Sequence, residues 1–171
     1  IRGLAFPAKT LVTDADLAPL AKCIDLRSLV IADGSRLTDI GLASLRGCKD
    51  LETIAIEKCE SITNSGLMAF RGCKQLKNLV LKGGSHGKLT DSCLVAFLDS
   101  KSLEGLCLGS FPRFGDEGLK VCRHLQELES ISLEGCSSIN GSGLRFMKTC
   151  VRLREINLAG CAVRDLLPEM I

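Results

Sequence analysis

The chain has 171 residues, of which 46% are hydrophobic and 25% charged, and a formal net charge of +2. These values are typical of an ordinary globular protein of one domain and do not by themselves indicate a nucleic-acid or membrane partner. No apolar stretch is long enough to span a bilayer, and no signal peptide with a basic start and an apolar centre is present.

A pattern of apolar residues returns along the whole chain. Residues Ile1, Leu4 and Phe6 begin a Leu-x-x-apolar-x-apolar pattern that recurs six times, from Leu26 to Leu153. The period is 25 residues, except for one repeat of 27, and a period of 20 to 29 with this pattern is typical of a leucine-rich solenoid. We therefore predict a single domain of seven repeats, at 1–25, 26–50, 51–75, 76–102, 103–127, 128–152 and 153–171.

The first part of each repeat is predicted to be a short strand. We number the places in a repeat from its first apolar residue, so that Leu26, Leu29 and Ile31 occupy places one, four and six. Since side chains alternate across a strand, places four and six point into the core and place five points outward. The stacked strands form a parallel sheet on the inner curve.

The second part of each repeat is predicted to be a helix. Leu42, Leu45 and Cys48 lie three residues apart, on one inward face of a short helix. Residue types that accept hydrogen bonds from free amides at a helix start precede this face: Thr38-Asp39, Thr63-Asn64 and Thr90-Asp91. The expected fold is a right-handed α/β leucine-rich-repeat solenoid, a horseshoe with a parallel inner sheet and outer helices.

The cysteines follow the same period. Seven of the ten occupy two places, one at the end of the helix and one after the strand: Cys23, Cys48, Cys73, Cys150, then Cys59, Cys136, Cys161. No pair has C-x-x-C spacing, and the two histidines lie far apart in the repeat scheme, so we expect no metal and no cofactor. The cysteines are predicted to be small buried core residues. Unpaired thiols in this number indicate an intracellular reducing compartment, such as cytoplasm, nucleus or an organelle matrix.

The motif resembles one known class of repeat. A Cys after the strand, as at Cys59, then Ile62-Thr63-Asn64, Gly66-Leu67 and a second Cys at Cys73, resembles cysteine-containing leucine-rich repeats. Such repeats form the substrate-receptor half of many F-box proteins and occur in antagonist-of-mitotic-exit-type proteins. The resemblance implies a non-catalytic, protein-binding module of an F-box-like ubiquitin-ligase receptor, with a cullin-type ligase adaptor bound through a region outside this chain.

Two repeats depart from the motif. Phe111 stands where the fifth repeat should have its post-strand Cys, and Gly115-Asp116 replaces Thr-Asp. In the fourth repeat, a two-residue insertion enters with Gly83-Gly84. The segment from Lys82 to Lys88 does not match a phosphate loop, because three residues separate its outer glycines and a Leu follows the Lys. Ser85-His86 has no third group to orient a base, and we predict no enzyme activity.

Two surfaces are candidates for binding. Ala5 begins an outward stripe on the concave face that is small and apolar at one end and polar at the other. The predicted concave site consists of the place-five stripe and its place-seven neighbours: Val30, Ala55, Glu57, Val80, Lys82, Cys107, Ser132, Glu134 and Asn157. The alternative is that small residues relieve crowding on the inner curve. Neither Trp nor Tyr, the usual interface anchors with Arg, occurs in the chain.

The convex face carries a basic ladder, defined by two helix places: Arg46, Lys49, Arg71, Lys74, Lys101, Arg123 and Lys148. It would suit an acidic protein, a phosphorylated segment or RNA, but stacking aromatics are missing and a solvated helix face explains it as well. Nucleic acid is therefore not the expected partner. Leu98 and Phe146 break the helix pattern, so they pack between repeats or mark a contact patch.

The two ends of the chain are less regular than the repeats between them. The chain begins at Ile1 without an initiator Met, and neither end shows a polar cap, so we expect a segment of a longer protein. Pro168 falls where the last helix should be and predicts a broken final element. The main functional alternative to a receptor is a structural subunit or assembly factor held in a large complex.

Overall fold

Residues 1–163 are described by a computed structural model, and each repeat contributes one strand. The strands are β1 (Gly3–Phe6), β2 (Ser28–Ile31), β3 (Thr53–Ile56), β4 (Asn78–Lys82), β5 (Gly105–Gly109), β6 (Ser130–Ser132) and β7 (Glu155–Asn157). They form one parallel sheet in the order of the chain. Place five of each strand pairs with place five of the next, as in Val30 with Ala55 and Ala55 with Val80. The regular period of the sequence is therefore also the register of the sheet.

The helices are shorter and tighter than the sequence pattern suggested. Three are single α-helical turns, α1 (Asp14–Leu17), α2 (Asp39–Ala43) and α3 (Asn64–Leu67). The others are 3-10 helices: Ala18–Lys22, Met68–Phe70, Asp91–Phe97, Asp116–His124 and Ser142–Thr149. The predicted strand-then-helix unit is confirmed for the first six repeats. Pro168 and the predicted final element lie outside the described residues. Within residues 1–163, no helix has the length and apolar character needed to cross a membrane.

The core lies between the sheet and the helices. Leu29 and Ile31 of β2 are fully buried, as are Leu42 in α2 and Leu45 and Cys48 after it, which confirms both predicted faces. Burying one such aliphatic side chain stabilises the fold by about 1.5–3 kcal/mol. Each repeat alone would expose this surface, so the repeats depend on their neighbours for stability.

The cysteine thiols also join neighbouring repeats. Cys48 Sγ donates to the carbonyl of Cys23 at 3.3 Å, and Cys73 Sγ donates to the carbonyl of Cys48 at 3.4 Å. In the fourth repeat Ser100 occupies the same place, and its hydroxyl donates to the Cys73 carbonyl at 2.9 Å. The helix-end cysteine is therefore a hydrogen-bond donor as well as the small core residue predicted from sequence. All ten cysteines are free.

The residues before each helix form a second connection. Asp14 accepts hydrogen bonds from the Thr38 amide at 2.9 Å and the Thr38 hydroxyl at 2.6 Å. Asp39 accepts the same pair from Thr63, at 2.8 and 2.6 Å. Thr38 does cap its own helix, as predicted, but Asp39 instead bonds the next repeat. The capping prediction is wrong for Thr90, whose hydroxyl accepts from Asn64 Nδ2 at 2.6 Å.

The two irregular repeats fit each other. The Phe111 ring is fully buried, and it lies against the glycines of the insertion in the preceding repeat. A Cβ at Gly83 would come within 2.5 Å of Phe111 Cε1, and a Cβ at Gly87 within 2.6 Å of Cδ1. The lengthened loop therefore makes room for a ring where the third, sixth and seventh repeats hold a thiol. Phe146, at 4% exposure, and the half-buried Leu98 pack between repeats.

Candidate functional site

The concave face presents the predicted stripe as a continuous row. Strand pairing aligns place five from Ala5 to Asn157 across all seven strands. Adjacent strands lie about 4.8 Å apart, so neighbouring side chains of the row are in reach of one partner segment. From Val30 to Asn157 the row is half-buried, with aliphatic side chains up to Val80 and polar ones at Ser132 and Asn157. The row thus changes chemistry along the sheet.

A second row on the same face was missed by the sequence analysis. Place three also points outward, and it carries Ser28, Thr53, Asn78, Gly105, Ser130 and Glu155. The alternation of side chains along a strand was the signal that would have found it, because places three and five share a face. Apart from Gly105, which has no side chain, the row is polar, so it supplies hydrogen-bonding groups that the apolar part of place five lacks.

The two rows enclose a depression over β4–β7 of about 250 Å³. Its lining includes Asn78, Ser130, Ser132 and Asn157, with Gly105 in its floor. A Cβ at Gly105 would come within 2.7 Å of Asn78 Oδ1 and 3.6 Å of Ser130 Oγ. The absence of a side chain at Gly105 therefore keeps the space between these two polar groups open.

Ion pairs line the concave face on the amino-terminal side of this depression. Glu52 lies between Arg27 and Lys77, with oxygen–nitrogen distances of 3.1 and 3.3 Å. Lys77 and Arg27 lower the pKa of Glu52. Lys82 pairs with Glu57 at 3.2 Å, and this partner raises the pKa of the lysine. These charges sit on either side of the apolar part of the row and largely neutralise one another.

Cys107 is the cysteine that occupies the outward place-five row. It is half-buried on the concave face, and burial raises the pKa of its thiol above the ordinary value. The thiol is therefore protonated at neutral pH and is not an activated nucleophile. It lines the depression as a small, weakly polar surface.

The convex ladder is less free than the sequence suggests. Lys49 Nζ donates to the carbonyls of Ala69 and Arg71, at 3.2 and 2.7 Å, at the end of the next helix. Lys101 Nζ makes the same kind of contact with the His124 carbonyl at 3.5 Å. Cations at a helix C-terminus interact favourably with its free carbonyls. Two members of the ladder thus stabilise the stacking of repeats.

Of the remaining ladder residues, one contacts an aromatic ring and the others are exposed. The Arg123 guanidinium lies 4.5 Å from the centre of the Phe146 ring, which Arg145 also covers at 4.9 Å. The other ladder residues are exposed, and among residues 1–163 they carry no ion pair: Arg46, Arg71, Lys74 and Lys148. The half-buried Leu98 interrupts the row between Arg71 and Arg123. The structure therefore does not join the ladder into one continuous basic surface.

The insertion loop has no catalytic arrangement. Ser85 Oγ lies 3.0 Å from His86 Nδ1, but the His86 side chain is 86% exposed and Glu60 is 4.0 Å away. A histidine in this setting is solvated, and nothing holds it in one orientation. In the part of the chain that the structure describes, no three His, Cys, Asp or Glu residues are grouped as metal ligands would be.

Comparison with known proteins identifies the fold. No protein-family model and no curated protein sequence matches the chain. It is similar to an internalin (inlF) from Listeria monocytogenes strain 4b F2365, with a TM-score of 0.66 and 18% identity over 91% of this chain and 41% of that one. It is also similar to a chain of the yeast Rad7–Elc1 complex, with a TM-score of 0.44 and 21% identity over 77% of this chain and 42% of that one.

This chain thus spans less than half the length of either structure. The likeness to the internalin confirms the predicted leucine-rich-repeat solenoid with its open parallel sheet. At 18% identity it is a likeness of fold alone.

Proposed function

We propose that this chain is a non-catalytic protein-binding module that holds its partner on the concave face of the solenoid. The observation that carries the proposal is the pair of outward rows at places three and five, which the strand register aligns over seven strands. A sheet face that is accessible, regular and polar at one end suits a peptide or helix laid across the strands. The repeat geometry therefore supplies a long contact surface without any catalytic group.

The finer proposal is a substrate receptor of an F-box-like ubiquitin ligase. Its support is the sequence motif, with Cys59, Thr63-Asn64 and Cys73 in the places that cysteine-containing repeats use. A cullin-type adaptor would then bind a region outside this chain, and the concave face would hold the protein to be modified. The ten free cysteines support a reducing intracellular compartment as the place where it works.

A fixed subunit of a large complex is the second candidate. Large apolar side chains on the convex face favour it: Ile40 is 75% exposed, Val95 46% and Met68 36%. They belong to the helices of the second, third and fourth repeats. A permanent neighbour on this face would cover them, whereas a receptor that exchanges its clients leaves them in water.

The concave face is tested by a matched pair of double variants. Val30→Glu with Val80→Glu adds two charges to the half-buried row, and Ser65→Glu with Ser92→Glu adds two charges at exposed helix positions. Each tagged protein is used to recover partners from the native cell, after circular dichroism has shown that it is folded. We expect the concave variant to lose the partner and the convex variant to keep it. Unchanged recovery by the folded concave variant would refute the proposal.

The two candidates differ in stoichiometry. Gentle purification of the full-length parent, followed by mass spectrometry, gives the amount of each partner. A ligase adaptor with substoichiometric clients is expected of a receptor. A constant set of stoichiometric partners without ligase components is expected of a fixed subunit.

A further inference from the structure

We propose that the depression over β4–β7 binds an arginine-bearing basic segment of the partner protein, an inference that rests on the proposed concave-face function and adds the partner's chemistry. We call this region the acidic groove. It comprises the depression and four glutamates around it: Glu104, Glu129, Glu134 and Glu155. Glu155 belongs to the lining itself. Glu104 and Glu129 directly precede the lining residues Gly105 and Ser130, and Glu134 lies close enough to Cys107 of the lining to help raise the pKa of its thiol.

The charges of the acidic groove are not neutralised as those of the first strands are. Within residues 1–163, none of the four glutamates lies within 4.0 Å of a cationic group. The nearby lysines of β4 and its rim, Lys77 and Lys82, already pair with Glu52 and Glu57. Arg154 is the one cation at place two beside Glu129. With the Lys82–Glu57 pair included, because Lys82 also lies near Glu134, the count is five carboxylates against two cations. This end of the sheet face is therefore negative, and a basic occupant is complementary to it.

The size and lining of the depression select the occupant further. A volume of about 250 Å³ is below the roughly 300–1,000 Å³ typical of small-molecule sites, and it matches one long side chain better than a cofactor. Asn78 and Ser130 face each other across the open position at Gly105. Their side-chain oxygens accept hydrogen bonds from a planar guanidinium, and an ammonium would present fewer, less directed donors. Arginine therefore fits the floor while the surrounding glutamates balance its charge.

The acidic groove runs across the strands, so the bound partner segment also crosses them. Its lining comes from four consecutive strands that lie about 4.8 Å apart, so the contact is roughly the length of a short extended peptide. Val80 at the other end of the lining offers an aliphatic contact to a residue on the amino-terminal side of the groove. A basic residue followed across the face by a small apolar residue is the expected pattern.

The test uses the 171-residue chain and a nine-residue glycine–serine peptide that carries three arginines. Binding is followed by amide chemical shifts, which also report where the peptide lies. We expect saturable changes at Gly105, Ser130, Ser132 and Asn157, weakened by added salt because the contact is electrostatic. The same peptide with glutamates in place of arginines is expected not to bind.

Two triple variants separate the groove from overall charge. Glu104→Gln, Glu129→Gln and Glu155→Gln remove three charges from the groove, and we expect affinity to fall by at least about tenfold. Asp25→Asn, Asp50→Asn and Asp99→Asn remove three exposed charges elsewhere and are expected to leave the affinity unchanged within about twofold. Equal weakening by both variants, shifts confined to the helices, or no saturable binding up to several millimolar would overturn the proposal.

Recovery of the native partner distinguishes a failure of the acidic-groove proposal from a failure of the concave-face function. If the Val30→Glu, Val80→Glu variant loses the partner while the triple glutamine variant binds it fully, the concave-face function stands and the acidic-groove proposal fails. If both lose it, both stand. If the valine variant keeps the partner, the concave-face function fails independently of the peptide result.

Discussion

Repeats one to three and repeats four to six use one sheet and one core but connect to their neighbours differently. In the first set, Asp14 and Asp39 each hold both the amide and the hydroxyl of a threonine in the next repeat. In the second set only the fourth repeat keeps this threonine, Thr90, and Gly115 and Asn140 take its place in the fifth and sixth. Asp91 accepts one bond from the Gly115 amide at 2.6 Å. Asp116 accepts from three amides, at Asn140, Gly141 and Gly143.

The difference shows which part of the connection is essential. Every described junction from the first repeat to the sixth keeps an acceptor at the start of one helix and a backbone amide before the next. The threonine hydroxyl is dispensable, because Asp116 replaces it with further backbone donors. The concave surface divides at the same region: the second to fourth repeats carry ion pairs on this face, whereas Glu104, Glu129, Glu134 and Glu155 of the later repeats have no cationic group within 4.0 Å among the described residues. The repeat is thus conserved in its backbone contacts and variable in what it presents.

The largest effect is expected from the ring that distinguishes the fifth repeat. Phe111→Ala leaves a cavity in a fully buried position, and we expect the free energy of unfolding to fall by about 3–5 kcal/mol. Cys59→Ala, at the equivalent place of the third repeat, removes a single sulfur and is expected to cost about 1 kcal/mol. Urea unfolding monitored by circular dichroism measures both. Equal losses would mean that the ring is not a specific core element of the fifth repeat.

Coupling between Phe111 and the insertion is the next largest effect. Gly83→Ala places a methyl 2.5 Å from the ring, and we expect a loss of about 1–3 kcal/mol. In the Phe111→Ala background the same change meets a cavity, so it is expected to cost less than about 0.5 kcal/mol. The double-mutant cycle isolates this interaction. Additive losses would contradict the contact between the two irregular repeats.

The aspartates before the helices give a graded series. Asp116→Ala leaves three amides without an acceptor and is expected to lower the free energy of unfolding by about 2–3 kcal/mol. Asp91→Ala leaves one such amide and is expected to cost about 1 kcal/mol. Asp39→Asn serves as the control. The equivalent residue of the next repeat is already an asparagine, Asn64, and it bonds both the amide and the hydroxyl of Thr90. A similar loss for all three variants would show that the number of amides held does not set the stability of a junction.

Most of the scaffold was predictable, because its causes are local and repeated. Leu29, Ile31, Leu42 and Leu45 follow periods of two and about three residues, and the structure buries all of them. The roles of Asp39 and Thr90 were not predictable in the same way. An aspartate before a helix satisfies a local cap or a distant amide equally well, and the choice depends on how closely the next repeat approaches.

The candidate site was only half predictable. The register of place five followed from the period, so the row from Val30 to Asn157 lies where expected. The depression depends on Gly105 and on the positions of side chains from four strands, which a pattern within one repeat does not contain. Lys49 illustrates the opposite case, since a charge that looks solvated in the sequence bonds two carbonyls of the next repeat.

Alkaline pH tests whether the buried thiols act alike in both halves. Burial raises the pKa of Cys59, Cys93 and Cys122 to about 12, whereas a thiol in the unfolded chain ionises near its ordinary value. The folded state is therefore fully favoured below about pH 9 and loses stability as the pH rises towards 12. Each such thiol contributes a slope of up to about 1.4 kcal/mol per pH unit.

Removing one thiol from each half gives the comparison. Between pH 9 and 10.5 the free energy of unfolding falls with pH, and Cys59→Ala and Cys122→Ala are each expected to reduce this slope by up to about 1.4 kcal/mol per pH unit. This effect is separate from any loss of stability that the variants show at neutral pH. Cys107→Ala, at the half-buried concave position, is expected to change the slope less. Urea unfolding at several pH values measures the slopes. If none of the variants alters the slope, the loss of stability at alkaline pH is not caused by ionisation of these thiols.

The smallest expected effect separates structural from free members of the basic ladder. Lys49 Nζ lies 2.7 Å from the Arg71 carbonyl and 3.2 Å from that of Ala69, at the end of the third repeat's helix. Lys49→Gln removes the charge from these bonds and is expected to lower the free energy of unfolding by about 0.5–1 kcal/mol. Lys74→Gln makes the same change at the same place one repeat later, where the described residues include no partner for the ammonium. We expect the free energy of unfolding of Lys74→Gln to stay within about 0.3 kcal/mol of the wild type.

If the two variants are equally destabilised in thermal and urea unfolding, the loss of stability comes from packing of the lysine stem on the helices. Lys49 and Lys74 would then contribute equally to stability, which would contradict the distinction between structural and free lysines of the ladder.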